Sequence, residues 1–134
     1  MPSMSGKYLG ELRTEDTHRA SGNTVTTDAP TDNNGRGEAF SPTDLVCASL
    51  SSCMMTLMGM LAEREKIDLT GMTSEITKVM ASNPRRISEV HIVFTRPNLQ
   101  ATPEQRKKLE HAARTCPVAL SLSQEIKQQV EFRF

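Results

Sequence analysis

The feature that most constrains this chain is a long helix with no charge along its middle. The stretch SPTD at 41–44 carries the signals of a helix start, with serine at the N-cap, proline at the first helical position and an acid two residues on. The pattern predicts a helix from there to about Lys66, and no charged residue lies between positions 45 and 62. Because such a helix offers water no charged face, other parts of the molecule must cover it on all sides.

The side chains around this helix are divided by size. A helical period places large apolar residues on one broad face and small residues opposite, and the small stripe predicts close approach by another backbone. The interrupting serines argue against a membrane span. The predicted apolar face comprises Leu50, Cys53, Met54, Leu57, Met60 and Leu61, and the small stripe comprises Ala48, Ser49, Ser52, Thr56 and Gly59.

Strands are predicted on both sides of this helix. The resulting order is α+β, with antiparallel strands packed on a long buried central helix, rather than a parallel βαβ fold. We predict a single domain over residues 1–134. The predicted elements are strands near 7–14, 17–20 and 23–28, a loop over 27–40, the central helix, strands over 70–81 and 87–96, a helix over 103–115, a short helix that begins at Cys116-Pro117, and a strand over 126–134.

The uncharged helix also bears on the oligomeric state. One sheet and two modest helices give a single chain too little material to cover it. A homodimer that buries the helix between two sheets resolves this shortage, and we expect one.

Composition excludes several classes of function. Sixteen Lys and Arg residues balance sixteen Asp and Glu residues, so no basic field predicts nucleic-acid binding. The N-terminal MPSMSGKYLGEL lacks the apolar core of a signal peptide. Three widely spaced cysteines do not make a secreted disulfide framework, which favours the reducing cytosol. No metal-ligand spacing and no glycine-rich phosphate loop is present.

The cysteines are the candidates for chemistry. Cys116 precedes a proline at a predicted helix start, where free N–H groups and the helix dipole favour a solvent-accessible thiolate. Cys53 lies too far along the central helix to feel its dipole, and the pattern leaves open whether it is a nucleophile or an inert core residue. Cys47 is predicted to be core. A reactive Cys53 would need a nearby cation, for which the candidates are Arg13, Arg19, Arg36 and Arg114.

Two segments resemble a known family. SPTDLVCASLSSCMM at 41–55 and CPVALS at 116–121 resemble the OsmC/Ohr family of thiol-dependent peroxidases. The flanking GEAF and the continuation TLMGM are most similar to its less characterised OsmC-like branch. The resemblance follows nearly the whole chain in order, and it implies an intertwined α+β homodimer with central helices between two sheets.

The resemblance also implies roles for particular residues. The family's peroxidatic cysteine falls on Cys53, and its resolving cysteine, which heads a Cys-Pro motif, falls on Cys116. The family's reactive arginine lies nine residues before a turn glycine. Counting back from Gly22 gives Arg13, with Arg19 as the alternative.

One position departs from the family pattern. The organic-hydroperoxide branch has a glutamate ten residues before the cysteine, where it orients the arginine, and this chain has Thr43 there. Asp44 or Glu38 could take over that task, although neither is at the matching position. Met54 and Leu57 are candidate residues of a pocket for organic peroxides, but core packing is the commoner role of such side chains.

Together these observations predict a cytosolic, homodimeric peroxidase that reduces organic hydroperoxides or hydrogen peroxide. Cys53 would form a sulfenic acid, Cys116 would convert it to a disulfide, and an external dithiol would restore both thiols. Neither a metal nor an organic cofactor, and neither nucleic acid nor a membrane, is expected as a partner. Two alternatives stay open: a non-catalytic relative that binds a small apolar or electrophilic ligand, and a redox-sensing interaction module.

Overall fold

The structure, a computed structural model, describes all 134 residues. It contains two compact units, residues 1–46 and residues 47–134, and each is described by itself. The prediction of one domain over 1–134 stays a prediction. The predicted α+β class is confirmed: two three-stranded sheets, one in each unit, accompany three α-helices.

The first unit contains an antiparallel meander of β1 (Met4–Gly10), β2 (Arg13–His18) and β3 (Thr24–Asp28). The predicted strand over 7–14 is wrong in one respect, because a turn at Glu11 and Leu12 divides it. Both turn residues have left-handed backbones, with φ of 53° and 63°. The alternation of apolar residues runs through Gly10 into this turn, which is why it resembled a single strand. Arg13 therefore begins β2 and pairs directly with Asp28 at the end of β3.

A loop and the start of the long helix complete the first unit. The loop contains a short 3-10 turn at Thr31–Asn33 and leads to helix α1 (Pro42–Glu65). The Ser41 N–H donates to the Asp44 carboxylate at 3.0 Å, and the Asp44 N–H donates to the Ser41 hydroxyl at 3.0 Å. This reciprocal capping fixes the start of α1 where the sequence predicts it.

Helix α1 continues through the second unit, and most of its predicted apolar face is covered: Leu50, Met54 and Leu61 are buried, Cys53 and Leu57 are partly buried against the core, and Met60 is the exception. Met60 is 50% exposed, whereas Met58 is completely buried. An uncharged helix has no polar side to mark its orientation, so its contacts within the fold decide which face is covered. The buried residues of α1 are Cys47, Leu50, Ser51, Met54, Met58, Leu61 and Ala62.

The sheet of the second unit consists of β4 (Thr73–Ala81), β5 (Arg86–Thr95) and β6 (Lys127–Arg133), in that order across the sheet. β4 and β5 form the predicted antiparallel pair, but β5 and β6 are parallel, which differs from the expected antiparallel arrangement. The reason is the connection between them. The chain passes through α2 (Pro103–Arg114) and α3 (Pro117–Ser121), and such a crossover returns the chain in the same direction.

The core of the second unit lies where β5 and the helices contribute apolar side chains. Val90, Ile92 and Phe94 alternate along β5, are at most 1% exposed, and belong to one buried cluster with Met54 of α1 and Leu109 of α2. The predicted alternation of β5 is thus confirmed. These residues place the middle of α1 and the end of α2 in one core. Cys53 on α1 and Cys116 after α2 are brought to the same core as a result.

By length and composition, α1 could cross a membrane, and no other helix could. Core helices of soluble proteins meet the same criterion, so the criterion alone does not assign α1 to a membrane. In this chain 33% of its apolar window is buried.

Candidate functional site

Cys116 occupies the N-cap of α3, as the sequence predicts. Pro117 takes the first helical position, and the Ala119 N–H donates to the Cys116 sulfur at 3.4 Å. A sulfur atom thereby satisfies one of the backbone donors that a helix start leaves without a partner. The Cys-Pro pair is therefore a local device that fixes the position of the thiol.

The expected exposure and charge of Cys116 are wrong. The residue is 0% exposed, and burial raises the pKa of its thiol above the ordinary value. The backbone N–H groups of Ala119 and Val118 oppose this shift, whereas the neighbouring Cys53 thiol adds to it. Two N–H groups of a five-residue helix do not outweigh the loss of water around a thiolate. Cys116 is consequently a buried, protonated thiol at neutral pH.

Cys53 lies beside Cys116 in the second unit. It is carried by α1 and is partly buried against the core, and its thiol is close enough to Cys116 to help raise the pKa of the Cys116 thiol. Both are free thiols. The structure thus brings together two of the residues singled out from the sequence, and it makes Cys53 the more accessible of the two.

Cys47 lies in a different environment from Cys53 and Cys116. It is 2% exposed and belongs to the core cluster with Leu50 and Met58. This is the core position that the sequence predicts for it.

In the first unit, Arg13 forms a two-point ion pair with a carboxylate. Its Nε donates to Asp28 Oδ1 at 2.7 Å, and its Nη2 donates to Asp28 Oδ2 at 2.8 Å. The side chain of Asp28 is completely buried, while that of Arg13 is 26% exposed. The Arg13 hydrogen bond holds the pKa of Asp28 below its ordinary value, and the same bond raises the pKa of Arg13.

Asp28 is the residue that sequence reasoning missed. The backbone N–H of Glu38 donates to Asp28 at 3.2 Å, but the exposed side chain of Glu38 acts on Arg13 only through longer-range attraction. Asp44 instead caps α1. Glu38 is therefore not a side-chain hydrogen-bond partner of Arg13, and the described role of Asp44 is the helix cap. The signal that could have found Asp28 is strand register, which places it opposite Arg13 once the turn before β2 is located.

The other three candidate arginines have surroundings that differ from those of Arg13. Arg19 is exposed after β2, and Arg36 pairs with Glu11. Arg114 lies 5.4 Å from the centre of the Phe132 ring and donates to the Val130 carbonyl. None of these arginines is buried against a carboxylate as Arg13 is.

The two proposed pocket residues differ. Met54 is 0% exposed in the core, so it packs as a core residue and does not line an open pocket within the chain. Leu57 is partly buried, and its assignment stays a prediction. The structure contains no group of three or more His, Cys, Asp and Glu side chains that could hold a metal ion.

Comparison with known proteins now identifies the family. The model of the family described as OsmC-like protein matches residues 35–131. A protein from Psychrobacter arcticus 273-4 is 48% identical in sequence to this chain, and it is named for an osmotic stress induced and detoxification response. Its crystal structure matches with a TM-score of 0.95, over 99% of this chain and 96% of that one. The chain belongs to the OsmC-like family.

More distant structures share the fold. An OsmC-like protein of unknown function from Vibrio cholerae is 15% identical with a TM-score of 0.78, over 96% of this chain and 97% of that one. The organic hydroperoxide resistance protein OsmC from Legionella pneumophila is 16% identical with a TM-score of 0.71, over 100% and 98%. No curated protein matches the chain.

The ion pair of Arg13 and Asp28 predicts a pH dependence of stability. Because the pKa of Asp28 is lowered in the folded state, its stabilising effect is present above the ordinary aspartate value of about 3.9 and is lost as the pH falls through the lowered value. Asp28→Asn should therefore unfold at lower urea concentration than the wild type at neutral pH, and the difference should shrink on acidification below about pH 4.

Urea unfolding from about pH 7 to about pH 3 measures this difference. The matched control is Asp16→Asn, which makes the same change on an exposed residue of β2 with no side-chain hydrogen bond. A difference for Asp28→Asn that is constant over the whole range would show that its charge does not contribute.

Proposed function

We propose that this chain is a cysteine-based peroxidase that reduces organic hydroperoxides or hydrogen peroxide. The observation that carries the proposal is the neighbouring pair of free thiols, Cys53 and Cys116, which are close enough for Cys53 to help raise the pKa of Cys116. Two neighbouring free thiols can be joined as a disulfide and separated again, and this is the chemistry of a dithiol peroxidase. Membership of the OsmC-like family and the name of the Legionella pneumophila structure, organic hydroperoxide resistance protein, support the same substrate class.

The environments of the two thiols support Cys53 as the residue of the first step. Cys116 is completely buried and held protonated, so a peroxide from solvent reaches the partly buried Cys53 more readily. In this step the Cys53 thiolate attacks one oxygen of the hydroperoxide and the O–O bond breaks. Cys53 becomes a sulfenic acid, and the alkoxide leaves and takes a proton to become an alcohol.

The second step uses the proximity of the two thiols. The Cys116 sulfur attacks the sulfenic sulfur, an S–S bond forms, and the departing hydroxide takes the Cys116 proton to leave as water. An external dithiol then reduces the disulfide and is itself oxidised. Because Cys53 is the more accessible sulfur, we expect the dithiol to attack there and to release Cys116.

Arg13 is proposed as the cation that stabilises negative charge on the reacting atoms. Its support is local: its guanidinium is partly exposed and is held by a buried carboxylate, whereas Arg19, the alternative, is exposed. A planar guanidinium can hold two acceptor atoms in one fixed plane, and a lysine ammonium lacks this rigid fork.

Turnover tests the proposed function. Purified protein with dithiothreitol should consume cumene hydroperoxide through many cycles. Without the dithiol, consumption should stop after about one equivalent has reacted. Protein whose thiols have been blocked by alkylation is the control. If wild-type protein consumes hydroperoxide no faster than this control, it is not a peroxidase for this substrate class.

We also propose that the protein is a homodimer and that it works in the cytosol, where a reductant for the disulfide is available. Two thirds of the apolar window of α1 is not buried within one chain, and Met60 alone is 50% exposed. Covering such a surface is a strong reason for association.

The dimer can be tested by mass and by substitution. Sedimentation equilibrium should give twice the chain mass of 14.8 kDa. Met60→Asp should shift the protein toward the monomer, because a carboxylate replaces apolar surface that the partner would cover. Glu63→Gln, which changes an exposed polar residue one turn along the helix, should leave the mass unchanged. A monomeric wild type would contradict the proposed dimer.

A further inference from the structure

We propose that Gln128 is a positioning residue, which acts through helix α3 by holding the Cys116 thiol in place for the second step of the reaction. This role rests on the proposed function, because it needs Cys116 as the thiol that converts the sulfenic acid to a disulfide. All the residues concerned belong to the second unit. Three features support the role: the bond from Gln128 to α3, the way α3 holds the sulfur, and the few other attachments of α3.

Gln128 joins β6 to α3 by one side-chain hydrogen bond. Its Nε2 donates to the Ala119 carbonyl at 3.0 Å in a partly buried position. The register of the parallel strands places Gln128 opposite the completely buried Val90, so its side chain lies on the inner face of the sheet. A polar side chain on that face needs a partner, and the last carbonyls of a helix have none within the helix. The amide of Gln128 and the carbonyl of Ala119 therefore satisfy each other.

The residue that accepts this bond also holds the sulfur. The Ala119 N–H donates to the Cys116 sulfur at 3.4 Å, and Ala119 is 8% exposed. Its N–H is thus engaged with the thiol, and its carbonyl is engaged with Gln128. A shift of Ala119 away from β6 would withdraw the N–H from the sulfur. The position of the thiol therefore depends on the bond that Gln128 makes.

Few other contacts hold α3 on the fold. The helix has five residues, a length that is not stable by itself in water. Ala119 is its one buried residue, and Leu120 is 71% exposed. A second bond to β6 lies before Cys116, where Arg114 donates to the Val130 carbonyl at 3.3 Å, but that bond is exposed. Gln128 consequently provides the partly buried attachment on the side of the thiol where its cap lies.

A fixed thiol matters because the Cys53 sulfenic acid has two competing fates. In one, the Cys116 sulfur attacks it, an S–S bond forms, the S–O bond breaks and water leaves. In the other, a second hydroperoxide transfers an oxygen to it, which gives a sulfinic acid and an alcohol. A thiol that is held next to its target reacts faster than one that is there only part of the time. Gln128 should therefore favour the disulfide over the sulfinic acid.

Competition between the two fates tests the proposal. Reduced protein is treated without dithiol at a series of cumene hydroperoxide concentrations, and intact mass gives the shares of disulfide and sulfinic acid. Gln128→Leu keeps the approximate size of the side chain and removes its donor. The concentration that gives equal shares should fall about tenfold, which corresponds to one hydrogen bond near the upper end of the usual net strength. Gln129→Leu, the same change on the exposed neighbour, should keep the wild-type concentration.

This concentration is the ratio of two rates at one sulfur atom, so it does not depend on how much of a variant is folded. The rate of the first step should be unchanged in Gln128→Leu, because Cys53 is carried by α1 and not by α3. A Gln128→Leu variant with a slower first step and an unchanged concentration would show a structural role only, and would overturn the proposal.

The outcomes also separate this role from the proposed function. A wild type that consumes no hydroperoxide would reject both. A wild type that consumes it without forming the disulfide, or a Gln128→Leu variant with the wild-type concentration, would reject the role of Gln128 alone. If Gln128→Leu does not fold, Gln128→Glu removes the donor while it keeps the shape, and the same fall is expected. A glutamate variant with the wild-type concentration would overturn the proposal.

Discussion

Replacing Cys53 by serine is expected to abolish hydroperoxide consumption in the presence of a dithiol. A serine hydroxyl stays protonated at neutral pH and is a far weaker nucleophile toward an O–O bond than a thiolate. Cys116 cannot take over, because it is completely buried and burial raises the pKa of its thiol. The loss should therefore be complete, to the rate of protein with blocked thiols.

Cys47→Ser is the matched control for this experiment. It makes the same substitution on the same helix, at a residue that is 2% exposed in the core. We expect a rate close to that of the wild type, with a modest loss of stability from the new buried hydroxyl. A Cys53→Ser variant that kept its peroxidase rate, or a Cys47→Ser variant that lost it, would contradict the assignment of the nucleophile.

Replacing Cys116 by serine should leave the first step intact and remove the second. Without added thiol, this variant should consume one equivalent of hydroperoxide per chain and accumulate a sulfenic acid on Cys53. Under excess hydroperoxide the sulfenic acid has no neighbouring thiol to condense with, so it should progress to sulfinic acid, which dithiols do not reverse. The wild type should be protected by its disulfide.

Intact mass distinguishes these products, because a sulfinic acid adds two oxygen atoms and a disulfide removes two hydrogens. Recovery of activity after addition of dithiothreitol provides a second readout. Wild type treated with excess hydroperoxide should recover, and Cys116→Ser should not. If both proteins were overoxidised equally, Cys116 would not be the resolving residue.

Local signals predicted much of this fold. The capping residues Ser41 and Asp44 located the start of α1, and the alternation along β5 identified its buried face. The Cys-Pro pair at 116–117 located α3. Each of these features depends on neighbours within a few residues, so a single sequence contains the information.

The features that the sequence did not predict depend on distant contacts. The burial of Cys116 is set by the core around it, whereas its position at a helix start was locally visible. The exposure of Met60 on α1 was not predicted, because no charged residue marks the exposed face of this helix. The partnership of Arg13 with Asp28 required the register of two strands, and that register depends on a turn with two left-handed residues that are not glycine. The parallel pairing of β6 required the crossover through α2 and α3.

Cys53 and Cys116 are proposed to form one redox-active disulfide, and everything else in the mechanism depends on this pairing. Its most direct test is peptide mass mapping of wild-type protein, alkylated after reaction with one equivalent of cumene hydroperoxide and no added thiol. The proposed mechanism predicts a peptide that contains the Cys53–Cys116 disulfide, with Cys47 recovered as the alkylated thiol. A disulfide that includes Cys47, or three free thiols after the hydroperoxide has been consumed, would contradict it.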